Sequence, residues 1–358
     1  SIVEHRDSFR FAKDVSIMRR IYWWWVCVAV LSAAACGYAM GSKGGARPVE
    51  AKPPTHTRKK ENTWEVRVWR APAGAKQMPI WPDVAPDTDG ATQAPERIEI
   101  AETPDALEGD TSEAAWDVSV PTMTVFAPQG KNTRAAVVVF PGGGFRAVVV
   151  TKQGTEICRW LAAKGITCIL SKYRVPKSNH HWDSDCRCAV TPKVPRALQD
   201  AQRTIRLVRA HAAEWKIDPD KIGAMGFSAG GYLVAQTSNR FEPAYAKVDA
   251  IDEVSSRPDF AIAFYPGHLC RPGATLDPGI HVTKRTPPTF LLQAWDDPVD
   301  EICNSTVYAR ALDDAGVPAE VHLFAKGGHA FALRTSEYPV VAAWPPLLER
   351  WLQGIGVL

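Results

Sequence analysis

Gly226-Phe227-Ser228-Ala229-Gly230 is the stretch on which the reading of this chain turns. It spells G-x-S-x-G, the pattern of a turn in which a serine stands at the tip between a strand and a helix. Glycines flank the serine because such a turn crowds its neighbours too closely for a Cβ. Three fixed positions in five arise easily by chance, so the flanks decide. Ile222-Gly223-Ala224-Met225 reads as a short buried strand entering the turn, and Gly231 to Gln236 as a helix leaving it. The expectation is a nucleophile elbow with Ser228 as nucleophile.

Working outward, the chain alternates apolar runs with helical periods. Ala135 to Phe140 is a continuous apolar, β-branched run, as expected of a strand buried on both faces. Further strands are read at Pro121 to Phe126, Gly165 to Leu170, Phe260 to Phe264, Phe290 to Ala294 and Glu320 to Phe324. Helices are read at Glu156 to Lys164, Arg196 to Lys216 and Val340 to Leu352. In the second of these Leu198, Ala201, Ile205 and Val208 form one stripe, and Arg203, Arg206 and Arg209 read as a solvated face. Repeated strand-helix units imply an α/β fold with a mostly parallel sheet covered on both sides.

A serine hydroxyl is a poor nucleophile without a base to take its proton, and the base needs a carboxylate to orient it. In α/β-hydrolase order the acid and then the histidine follow the serine. Asp296 and Asp297 end the run at Phe290 to Ala294; Asp297 is the candidate acid, in the turn Asp297-Pro298-Val299, and Asp296 the alternative. Of nine histidines only His322 and His329 come later. His322 falls within a strand, whereas His329 lies between glycines and apolar residues directly after the last strand, so His329 is the candidate base. Upstream, Pro141-Gly142-Gly143-Gly144-Phe145 follows a strand where a loop of oxyanion-binding N–H groups is expected. Its candidate donors are Gly143 and Gly144, joined by Ala229. Phe145, Phe227 and Trp295 adjoin these groups and are the candidate substrate contacts.

The remaining signals bound the class. A net charge of +3 is too mild to argue for nucleic acid or an anionic membrane surface as partner. Residues 1–17 look unlike the natural start. Residues 18–39 carry Met18-Arg19-Arg20 and then an apolar stretch from Trp23 to Ala35, the layout of a signal peptide or, if uncleaved, a membrane anchor. Cys36 is an alternative lipidation point. Residues 40–62 read as a flexible linker and 63–358 as the catalytic domain. The expected location is therefore periplasmic or extracellular. Six cysteines follow the leader and permit disulfides; Cys158 and Cys168 read as buried free thiols, and Cys186 and Cys188 as the better bridge candidates. His180 to Cys188 holds metal-capable side chains without strong metal spacing, and reads as an active-site rim. No metal or cofactor is expected. Asp200, in a helix, reads as an ion-pair partner for Arg174.

Taken together, these residues resemble the α/β-hydrolase superfamily and, more narrowly, bacterial carbohydrate esterases of the acetylxylan esterase type. The resemblance rests on Ile80-Trp81-Pro82, Val139 to Gly144, Lys172 to Pro176, Leu198 to Gln202, Met225 to Gly231, Asp296 to Val299 and Gly327 to Phe331, and spans about residues 78–358. Trp295 and Ala330 depart from the usual pattern, where a small or acidic residue and a glycine are common. The resemblance implies a metal-independent serine esterase for short acyl groups on a small-molecule or carbohydrate ester. Its rivals are a serine peptidase of the same fold and a non-catalytic carbohydrate-binding relative.

Overall fold

The apolar runs become the strands of one eight-stranded sheet in a computed structural model that describes residues 62–88, 94–101, 111–175, 181–183, 188–190, 195–335 and 339–358. Numbered along the chain, the sheet strands are β1 (Lys76–Pro79), β2 (Thr122–Phe126), β3 (Ala136–Phe140), β4 (Thr167–Lys172), β5 (Ile222–Phe227), β6 (Phe260–Phe264), β7 (Thr289–Ala294) and β8 (Ala319–Phe324). Their spatial order is β8-β7-β6-β5-β3-β4-β2-β1. Neighbours from β4 to β8 pair parallel, and β2 runs antiparallel to both β4 and β1. Every residue of β3, β4, β5, β6 and β7 is buried. That burial explains runs without alternation: a parallel sheet hidden on both faces needs apolar residues at every position.

Among the described residues, five α-helices accompany the sheet: α1 (Glu156–Ala163), α2 (Pro195–Ala210), α3 (Ala229–Asn239), α4 (Cys303–Asp314) and α5 (Trp344–Gly354). A smaller antiparallel sheet joins Thr63–Val66, Arg97–Ala101, Ser112–Trp116 and Ala147–Val148. Its last strand follows the Gly142–Gly144 loop directly, so that loop is held between two sheets. The chain from Lys59 to Leu358 is one compact unit. The candidate leader and the residues around Cys186 lie outside the described residues, as do the side chains of the 176–194 segment.

Two sequence expectations are corrected. Arg203 and Arg206 are buried, not solvated. Arg203 donates to Asp249 and Asp252 and to the Ile80 carbonyl, and Arg206 donates to the Val254 carbonyl and Tyr245. These ion pairs pin the 249–254 segment onto α2, and buried charge is tolerated because it is paired. Cys158 and Cys168 are not free thiols: they form a disulfide that ties α1 to β4, and Cys270 bridges Cys303. Asp200 does pair with Arg174, accepting from its backbone N–H and guanidinium, and also from Trp81 Nε1 at 2.8 Å.

Candidate active site

β5 ends at Phe227, α3 begins at Ala229, and Ser228 stands between them at φ 53° and ψ −119°. That conformation costs a non-glycine residue about 1–3 kcal/mol and persists only where the surroundings enforce it. Here Ser228 N–H donates to the Phe264 carbonyl at 3.0 Å, and its own carbonyl accepts from Tyr232 and Gly267 at 3.2 Å. The flanking glycines are required by contact. A Cβ at Gly226 would lie 2.1 Å from the Gly230 carbonyl oxygen, and one at Gly230 1.9 Å from that of Phe140.

The acid and base arrive on the loops after β7 and β8. Asp297 Oδ2 meets His329 Nδ1 at 2.7 Å, and Asp297 Oδ1 accepts from the backbone N–H groups of Val299 and Asp300 at 2.9 and 3.0 Å. The alternative acid, Asp296, has a different task. Its Oδ1 accepts from Gly327 and Gly328 at 2.9 Å each, which fastens the loop carrying His329. Those two backbone bonds, Gly328 foremost, with help from the Lys326 charge, hold the Asp296 carboxyl below its usual range. His322 lies in β8 and pairs with Glu320. The ring of Tyr265 packs edge-on against His329, with centroids 4.9 Å apart.

A third carboxylate, Asp300, was not among the sequence candidates. Its Oδ2 accepts a hydrogen bond from Ser228 Oγ at 3.1 Å and lies 3.8 Å from His329 Nε2. The serine hydroxyl thus points to Asp300 rather than to the imidazole. Burial pushes the Asp300 carboxyl up to about 6 against the pull of the His329 charge, and the Asp297 charge adds to the rise. For His329, burial opposes protonation, but the hydrogen bond to Asp297 and the charges of Asp300 and Asp297 outweigh it and hold the imidazole above its ordinary value.

Ser228, His329 and Asp300 open into a cavity of about 470 Å³ that Gly143 and Gly144 also line. Gly143 has φ 128°, and a Cβ there would meet the Ala147 carbonyl oxygen at 2.2 Å. Ala229 is the first residue of α3, where N–H groups lack partners within the helix. Gln153 and His268 line the cavity as well. Gln153 Oε1 accepts from Gly142 N–H at 2.7 Å and so props the glycine loop. Sequence reasoning missed both; the one available signal was that each lies next to a glycine near a strand end.

The three aromatic candidates lie elsewhere. Phe145 is buried against Tyr173, Tyr232 and His268, behind the glycine loop. Phe227 packs in the core on Phe264 and Tyr265. Trp295 is 58% exposed. None of them lines the cavity. Proximity in sequence misleads here because adjacent residues at a strand end face opposite sides of the sheet.

Known proteins agree with this architecture. The BD-FAE family model matches residues 123–263 and the prolyl oligopeptidase family model residues 198–353. An acetylxylan esterase of Xylanibacter ruminicola is 30% identical over 261 residues, 65% of this chain and 47% of that protein, so the chain spans about half its length. The crystal structure of an acetyl ester-xyloside bifunctional hydrolase from Caldicellulosiruptor lactoaceticus is 29% identical with a TM-score of 0.60, covering 79% of this chain and 97% of that one. The butyrate-bound esterase Est2 of Thermogutta terrifontis is 26% identical with a TM-score of 0.53, covering 68% and 91% respectively. With its strand order, its strained serine turn and these similarities, the chain has the α/β-hydrolase fold.

Proposed function

We propose that this chain is a serine carboxylic ester hydrolase for short-chain acyl esters, acetyl esters of carbohydrates such as xylan foremost. The observation that carries the reading is the 2.7 Å contact of Asp297 with His329 Nδ1, in a cavity that holds Ser228 at a strained turn. With Nδ1–H donated to Asp297, Nε2 keeps the lone pair a general base needs. Ser228 turns from Asp300 toward Nε2, and its oxygen attacks the ester carbonyl carbon as His329 takes the proton. The oxyanion is met by N–H groups of Gly143, Gly144 and Ala229. His329 then protonates the leaving alcohol, and water removes the acyl group from Ser228 by the same route.

The narrower substrate class is supported by the acetyl-ester relatives described above. Two disulfides formed in the described residues suit an exported enzyme, in keeping with the N-terminal leader pattern. Rates on p-nitrophenyl acetate, butyrate and octanoate, with acetate release from acetylated xylan, test the reading: acetate should lead, and a preference for octanoate would sink it. The prolyl oligopeptidase match favours a second reading, a peptidase. Cleavage of a proline p-nitroanilide faster than the acetate ester would decide for that alternative.

A further inference from the structure

Asp300 stands in the active site for no structural reason that the fold supplies. It is 3% exposed, on the loop between β7 and α4. Buried carboxylates are normally satisfied by backbone N–H groups or a basic side chain. Asp297 has two such N–H donors and Asp296 has two. The Asp300 carboxylate has no backbone donor: its polar partners among the described residues are Ser228 Oγ and His329 Nε2. One oxygen, Oδ2, serves both. The neighbouring backbone leaves it room, since a Cβ at Gly267 would lie 2.6 Å from Asp300 Oδ1.

We propose that Asp300 is a positioning residue: it holds the Ser228 hydroxyl in the free enzyme and, through its charge beside Nε2, sets the pH at which His329 becomes available as base. The inference rests on the reading of Ser228 and His329 as nucleophile and base. An ionised carboxylate near Nε2 stabilises the imidazolium, both in the resting enzyme and when His329 carries the serine proton during acyl transfer. The other groups facing His329 are accounted for. Asp297, on the same loop, favours the imidazolium from the Nδ1 side, and Lys152, ahead of α1, opposes it. Tyr265, after β6, presents its ring, and His268 lines the same cavity. Asp300 and His329 therefore titrate as a coupled pair rather than as independent sites.

Asp300→Asn keeps the shape and an oxygen to accept from Ser228 while removing the charge. The His329 imidazole titration, followed by NMR on the full chain, needs no substrate. Its midpoint should fall by about one pH unit or more in Asp300→Asn, as removal of an opposite charge within ~4–6 Å predicts. The acid limb of kcat/KM on p-nitrophenyl acetate should move down with it. An unmoved midpoint overturns the inference. A moved midpoint with no ester hydrolysis in either protein refutes the esterase reading and leaves the inference standing. Should Asp300→Asn fail to fold, the wild-type protein answers alone: the Asp300 carboxyl carbon and the His329 ring must show mutually dependent titration curves, and two independent single-site curves overturn it.

Discussion

Replacing Asp297 by asparagine probes the proposed catalysis with the smallest change of shape. Asp297 Oδ1 accepts two backbone N–H groups, so an asparagine oxygen is drawn to that side and its NH₂ is turned toward His329 Nδ1. Two donors cannot face each other, so the imidazole must place its proton on Nε2, the nitrogen that has to accept the serine proton. The reversed amide is no escape, because it sets NH₂ against the N–H groups of Val299 and Asp300. A buried triad aspartate changed in this way lowers kcat by about 10⁴-fold, close to 5 kcal/mol of transition-state stabilisation. The assay is kcat/KM on p-nitrophenyl acetate from pH 5 to 9, with thermal unfolding alongside to show that the fold persists. A folded Asp297→Asn protein that keeps a tenth or more of wild-type kcat would refute the reasoning and move the orienting role elsewhere in the site.

Three further outcomes follow from the same geometry. Gly230→Ala places a Cβ against the Phe140 carbonyl, where backbone has to move; denaturant unfolding should show a loss of about 3 kcal/mol or more, together with loss of hydrolysis. The Cys270–Cys303 bridge closes 33 residues of sequence and joins the His268 segment to the start of α4, so replacing both cysteines by serine should cost about 3–4 kcal/mol by loop entropy, read as a fall in Tm, and an unchanged Tm would contradict it. Asp300 has its folded-state pKa raised to about 6, which makes its contribution to stability full below the unfolded carboxylate value and lost as pH rises through 6. Unfolding from pH 4 to 7 should therefore show Asp300→Asn gaining on the wild type with rising pH, by up to about 3 kcal/mol, whereas parallel pH profiles would contradict the buried charge.

The fold was legible because a two-sided parallel sheet leaves unbroken apolar runs such as Val137-Val138-Val139 and Phe290-Leu291-Leu292, which little else in a globular chain imitates. The elbow was legible because its glycines answer to contacts within the motif and the adjoining strand. What stayed hidden depends on partners distant in sequence. Arg203 reads as solvated until Asp249 and Asp252 arrive 46 and 49 residues later. Cys158 and Cys168 occupy apolar positions in a helix and a strand, and only the packing of α1 on β4 brings their Cα atoms to 5.1 Å. Asp300 looks like one more polar residue in a turn that already holds Asp296 and Asp297. Its approach to Ser228, 72 residues earlier, exists only once β5 and β7 are joined through β6.

Everything proposed for the site depends on Ser228 being the nucleophile of an ester hydrolase. Treating the full chain with a fluorophosphonate and locating the adduct by peptide mass spectrometry tests it most directly. The expected result is a single phosphonyl group on Ser228, loss of p-nitrophenyl acetate hydrolysis in step with labelling, and neither label nor hydrolysis in a folded Ser228→Ala protein. Hydrolysis that survives in Ser228→Ala, or a wild-type Ser228 that stays unlabelled, would contradict it.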